Sequence, residues 1–275
     1  MNKIDSIKAI VLDLDGTLLT PDIKILENTK NILLKAKNNG VKIIIASGRT
    51  PQTAVKMTKI LEINSPMVLA NGALIYNPID KSIISSNPIS RDTINYLLNL
   101  SAEIKISLNI YTPHCIYMEE EKIDDYIKDS GDARENLIDQ KLYNFNDDIA
   151  LKCEFFGKDQ GYNESLRKLV IDHSKNISED LYITSAHPNY LEILNKKSNK
   201  YFGIKKVLKL ESIDEEQALI FGDNHNDIEM LSNFTNTVAM GNAKNNIKEV
   251  AKYTTKSNFQ DGIFYFIKDM TTILD

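Results

Sequence analysis

Short apolar runs recur along the chain, each closed by a polar or glycine-containing stop. Ala9–Leu12 runs into Asp13, residues 41–45 into Ser47-Gly48, and Met67–Leu69 into Asn71-Gly72. Toward the other end, residues 218–221 precede Gly222-Asp223, and residues 237–240 precede Gly241-Asn242. Continuous runs of this length, rich in β-branched residues, suit strands buried on both faces, as in a parallel sheet. Between them the apolar spacing turns helical. Residues 25–37 carry Leu26, Ile32, Leu33 and Ala36, with Gly40 placed to end the helix. A second helix is predicted over Pro51–Leu61, apolar at Ala54, Val55, Met57, Ile60 and Leu61.

Strand and helix alternate, so the first ~70 residues and the last ~75 read as one α/β fold interrupted in sequence. The expected core is Rossmann-like, a parallel sheet flanked by helices. Right-handed crossovers bring the C-terminal ends of its strands to one edge, where such sheets bind ligands. All the stops fall at that edge. Between about residues 83 and 187 the rhythm breaks into short strands (107–111, 115–118, 150–156) and helices near 90–101 and 163–174. An acidic, lysine-rich stretch, 119–148, reads as surface. The expected division is therefore a core of residues 1–82 and 188–275 with an inserted α/β domain at 83–187.

Composition narrows the function classes. At 275 residues, 42% hydrophobic and 26% charged, the chain is that of a soluble globular protein. A net charge of −5 without a basic block makes nucleic acid and anionic membranes poor partners, so an anionic substrate needs a local positive site. Cys115 and Cys153 have no metal-ligand spacing and read as reduced thiols. No signal-peptide pattern opens the chain and no apolar run could span a bilayer, which points to the cytoplasm.

Candidate chemistry gathers at the stops. Asp13 and Asp15 stand where a buried strand breaks into a loop, and burying charge is costly without a metal or another partner. Asp13 suits a carboxylate nucleophile forming an aspartyl-phosphate, and Asp15 an acid/base two residues on. Gly16 permits a tight turn beside a phosphate, although Asp-Gly also serves as an ordinary turn pair. Ser47-Gly48-Arg49, between a strand and a helix, can offer a hydroxyl, backbone amides and a charged fork to phosphate; otherwise Ser47 simply caps the helix. Asp223, the Asp13 carboxylate and a backbone carbonyl at Asp15 make a plausible oxygen set for magnesium. Asn226 could donate to a phosphate oxygen, and Asp227 orients the site from behind the metal ligands. His225 reads as a solvent-facing loop residue, and His114, His173 and His187 show no partner pattern. A charged transition state needs a fixed cation, for which Lys196, Lys197 and Lys200 all qualify by position.

Six runs then carry a resemblance: DLDGTLL (13–19), ASGR (46–49), ANGA (70–73), SNK (198–200), FGDNHND (221–227) and AMGNA (239–243). In this order and separation the chain resembles the haloacid dehalogenase (HAD) superfamily, and within it the Cof-type, sugar-phosphatase-like hydrolases. The resemblance implies that Asp13 is the nucleophile and Asp15 the acid/base. It implies that Ser47 and Lys200 hold the phosphate and that Asp13, Asp15 and Asp223 bind magnesium. It selects Lys200 among the three lysines, and makes the inserted block a cap that closes over the site and sets specificity. One departure is Tyr201, where many relatives carry glycine, which puts the start of the adjoining helix in question. The expected activity is magnesium-dependent hydrolysis of a small phosphorylated metabolite. A phosphoryl-transferring mutase and a non-catalytic metabolite-binding regulator are the competing readings. Neither the substrate nor the oligomeric state is legible.

Overall fold

The computed structural model describes residues 4–130, 133–144, 148–156, 160–176, 180–184 and 190–273. His187 lies outside them. The chain divides into two compact units, one of Met1–Gly48, Ala54–Ile84 and Asn199–Asp275, the other of Arg49–Thr53 and Ser85–Ser198. The chain opens with β1 (Ala9–Leu12), α1 (Glu27–Asn38), β2 (Lys42–Ile45), α2 (Pro51–Leu61), β3 (Met67–Leu69), β4 (Leu74–Tyr76) and β5 (Ile83–Ser86). Within the second unit follow α3 (Arg91–Ile104), β6 (Leu108–Tyr111), β7 (Ile116–Met118), α4 (Ile123–Ser130) and β8 (Leu137–Asp139). It continues with β9 (Lys152–Phe156), α5 (Gln160–Asn176), β10 (Leu181–Thr184) and β11 (Tyr190–Asn195). The first unit then resumes with α6 (Lys200–Leu210), β12 (Ala218–Gly222), α7 (Ile228–Asn233) and β13 (Asn236–Ala239), and ends with α8 (Asn245–Val250), β14 (Tyr253–Thr254) and α9 (Gly262–Met270).

The first unit is built on a five-stranded parallel sheet, ordered β14-β13-β12-β1-β2. β1 lies between β12 and β2, and all four of its residues are buried, which is why it reads as an unbroken apolar run. Its core joins Val11, Ile44 and Ile220 of the sheet to Ile204 and Val207 of α6 and Met230 of α7. Each such aliphatic side chain contributes about 1.5–3 kcal/mol by leaving water. α1 buries Thr29, Ile32, Leu33 and Ala36 and stops at Gly40, whose φ of 87° lets Val41 N–H return to Ala36 O at 3.1 Å.

One expected strand behaves differently. Met67–Leu69 pairs with the parallel sheet through an isolated bridge from Val68 to Ala46, with Ser47 N–H donating to Val68 O at 2.8 Å. Its full pairing is antiparallel to β4, in a small sheet β3-β4-β5. The reason is the turn at 70–72, which reverses the chain directly instead of sending it through a crossover helix.

The second unit carries a six-stranded sheet, β10-β11-β9-β6-β7-β8, antiparallel except for β7 beside β8. Tyr190–Asn195, expected with the core, instead forms β11, which is held between β10 and β9, and the second unit runs to Ser198. Leu191 and Ile193 of that strand pack into the second unit's own core, so the strand cannot leave it without exposing them. The stretch 119–148 is not surface throughout, since Ile123 and Leu137 are buried against Ile116 and Met118. Lys152 is buried between Glu154 (3.1 Å) and Glu192 (2.5 Å), an enclosed charge group invisible to spacing arguments. Cys115 and Cys153 are buried and form no disulfide. Among the described residues no helix is long and apolar enough to cross a membrane.

Candidate active site

The register pairs Leu12 with both Ile45 and Phe221, so three segments leave the parallel sheet at one level: 13–17, 46–49 and 222–227. Asp13 retains one ladder bond, its N–H donating to Phe221 O at 3.2 Å, and its side chain is buried. Lys200 is the first residue of α6, capped by Asn199, whose side chain accepts from Phe202 N–H at 2.9 Å. The Tyr201 departure does not disturb this start; its ring packs edge-on against Phe234 at 5.1 Å. From there Lys200 Nζ donates to Asp13 Oδ1 and to Asp227 Oδ1, each at 2.6 Å, with its side chain wholly enclosed. Lys196 and Lys197 are exposed, and Lys196 pairs with Asp180 instead.

Asp227 uses both oxygens to hold its surroundings. Oδ1 takes Lys200, and Oδ2 accepts the N–H groups of Asp223 (2.9 Å) and Asn224 (3.0 Å). Asp223 is held by Thr17 Oγ1, which donates to Oδ1 at 2.7 Å, and by Asn242 Nδ2, 3.3 Å from Oδ2. Asn242 also donates to Gly16 O at 2.8 Å and so ties the two loops together. Carboxylate oxygens of Asp13, Asp223 and Asp227 all lie within 4.8 Å of one another. Asp15 is exposed, so of the pair Asp13 and Asp15 only Asp13 bears the cost of burying charge.

Three carboxylates around one ammonium leave an excess of negative charge. Burial pushes the Asp13 carboxyl well above the usual range, opposed by Lys200 and reinforced by Asp227 and Asp223. Burial likewise raises Asp223, to about 7, with Asp227 adding to the shift and the Thr17 hydrogen bond opposing it. Burial alone would lower Lys200, but Asp13 and Asp227 together hold its ammonium above the ordinary value. Hard oxygen donors in charge excess are the chemistry a divalent cation such as magnesium requires, and the residues fit one.

Ser47 is buried and lies four residues before α2 begins, so it does not cap that helix. Gly48 belongs to the first unit and Arg49 groups with the second. Asn226 is buried and donates through Nδ2 to Asn71 Oδ1 at 2.9 Å. His225 and His114 are exposed, and His173 stacks on Tyr96 at 3.4 Å. Sequence reasoning passed over Thr17, Asn71 and Asn242. All three were signalled, because each stands at or just past a stop after a strand.

Gly16 has a φ of 84°, and a Cβ there would collide with the Asp223 carboxylate. Gly16→Ala is therefore expected to displace Asp223 and weaken divalent-ion binding by about 10- to 100-fold, read by calorimetric titration with magnesium. An unchanged affinity would show that this close approach is not needed.

A buried aspartate cluster around a lysine, at the carboxyl edge of a parallel α/β sheet interrupted by a second α/β unit, defines a class of phosphate-handling hydrolases. The chain matches the haloacid dehalogenase-like hydrolase family over residues 10–267 and belongs to it; it is a HAD-family phosphatase of the Cof type. It is 30% identical over 273 residues to the 5-amino-6-(5-phospho-D-ribitylamino)uracil phosphatase YitU of Bacillus subtilis, covering 94% of this chain and 96% of YitU. Among solved structures, the HAD phosphatase BT1666 from Bacteroides thetaiotaomicron superposes with a TM-score of 0.81 at 21% identity, covering 96% and 95% of the two chains. The HAD subclass IIB sugar phosphatase BT4131 does so with 0.80 at 24% identity, covering 95% and 98%. At such identities these two structures speak for the fold alone.

Proposed function

We propose that this protein hydrolyses small phosphomonoesters, sugar phosphates or related metabolites, through an aspartyl-phosphate on Asp13 with magnesium as cofactor. The observation that supports this best is the clustering of Asp13, Asp223 and Asp227, two of which, Asp13 and Asp227, pair with the enclosed Lys200. Lys200 engages Asp13 through Oδ1, which leaves Oδ2 to attack phosphorus in line. As that bond forms, the bond from phosphorus to the leaving oxygen breaks, and Asp15 protonates the departing alcohol. Water then attacks the phosphorus of the acyl phosphate while Asp15 takes its proton, releasing phosphate and restoring the Asp13 carboxylate. Ser47, Gly48 and Asn226 bind the phosphate oxygens; Arg49, set apart from them by its contacts, meets the phosphate or the rest of the substrate. Asp13, Asp223 and the Asp15 carbonyl would hold magnesium, which when bound neutralises charge developing on the transferring phosphoryl group. Asp227, occupied on both oxygens, positions Lys200 and the Asp223 loop. YitU acts on a phosphorylated ribityl chain, and the 30% identity to it favours a sugar or sugar-alcohol phosphate here.

The test is phosphate release from a panel of phosphorylated metabolites with magnesium and after chelation. Activity is expected only with the metal, and equal turnover in chelator would refute the cofactor assignment. The pH dependence has a defined sign. A metal must displace the proton from Asp223, whose raised value lies at about 7. Magnesium affinity is thus expected to fall as pH drops below about 7, in contrast to an unperturbed aspartate, which would hold affinity down to about pH 4.

A further inference from the structure

The turn after β3 is not used by the reaction described above, yet it is built under strain. Ala70, Asn71 and Gly72 have φ values of 47°, 52° and 94°. Asparagine and glycine tolerate that region, whereas alanine rarely enters it, so the surrounding structure must impose the turn. Asn71 is buried, and it reaches two loops at once. Its N–H donates to Ser47 O at 3.0 Å, and its Oδ1 accepts from Asn226 Nδ2 at 2.9 Å. Its carboxamide also backs Gly48, where a Cβ would stand 3.0 Å from Oδ1. Gly72 lies so close to the backbone of Asn199 that any side chain would collide with it. One turn therefore touches the loop carrying Ser47, the loop carrying Asn226 and the residue before Lys200.

A carboxamide nitrogen has two hydrogens. Giving one to Asn71 fixes the plane of the Asn226 amide and which end is nitrogen, and leaves the second hydrogen for an incoming oxygen. We propose that Asn71 is a positioning residue of the phosphate site, holding the Asn226 carboxamide in the orientation that donates to phosphate. This rests on the reading of Asn226 as a phosphate ligand. The left-handed turn is the backbone shape that brings Asn71 to both loops, which gives the strain a purpose.

Asn71→Gly tests it, because glycine accepts the left-handed turn and keeps the N–H to Ser47 while removing the carboxamide. The thermal midpoint should fall only modestly, because the turn and the N–H to Ser47 are kept while one buried hydrogen bond is lost. The inhibition constant for inorganic phosphate should rise about 10- to 100-fold, with kcat/KM falling in parallel. Asn226→Ala should weaken phosphate similarly, and adding Asn71→Gly to it should cause no further loss. If Asn226→Ala binds phosphate normally, the ligand reading of Asn226 fails and the inference falls with it. If Asn226→Ala weakens phosphate but Asn71→Gly does not, only the positioning role is overturned. Additive losses in the double variant would likewise overturn it, since the turn would then act apart from Asn226.

Discussion

Asp13→Asn is expected to lower phosphate release by roughly 10,000-fold or more, because asparagine cannot form the acyl phosphate. The same variant should lose none of its thermal stability. Asp13 is a buried carboxylate in a cluster where burial and the neighbouring Asp227, Asp223 and Asp15 already disfavour its charge. Removing that charge relieves repulsion, and Lys200 keeps its bond to Asp227 at 2.6 Å. The combination of lost activity and retained melting temperature separates a chemical role from a structural one. Acid quenching of the wild-type enzyme with labelled substrate should also trap label on the protein, and the variant should trap none. Appreciable turnover of p-nitrophenyl phosphate by Asp13→Asn would rule out this nucleophile.

Lys200→Met should do the opposite to stability. Its ammonium is wholly enclosed between Asp13 and Asp227, so its removal strands two buried carboxylates. Breaking a buried pair in this way costs about 3–5 kcal/mol. Magnesium supplies positive charge to the same carboxylates, so the variant should gain more in Tm from added magnesium than the wild type does. Activity should fall by about 100- to 1000-fold even with saturating metal, as for other lost transition-state contacts. Melting curves with and without magnesium check the first claim, and steady-state kinetics the second. Metal-free Lys200→Met melting at the wild-type temperature would show that the lysine is not balancing those charges.

Much of the parallel sheet was legible because its strands are buried on both faces and read as apolar runs with polar stops. Residues 218–221 read as a strand for that reason, and β12 occupies them. β11 was harder. Its run of Leu191, Glu192, Ile193 and Leu194 carries a buried glutamate whose charge is met by Lys152 at 2.5 Å. No local pattern announces such a partner. The apolar run of β3 looks like the others, and the reversal at Ala70–Gly72 is what pairs it antiparallel to β4.

Local sequence specifies the class of fold, the edge on which polar groups collect, and the family, through motifs that each sit within a few residues. Such features depend on neighbouring residues, which share one strand or one turn. Tertiary structure alone decided that Asp13 is buried while Asp15 is exposed, that Asp227 spends both oxygens on positioning, and that Asn71 meets Asn226 across 155 positions. Charge balance and hydrogen-bond satisfaction are properties of an enclosed volume. They come into being only when β1, β12 and the start of α6 are brought together around Lys200.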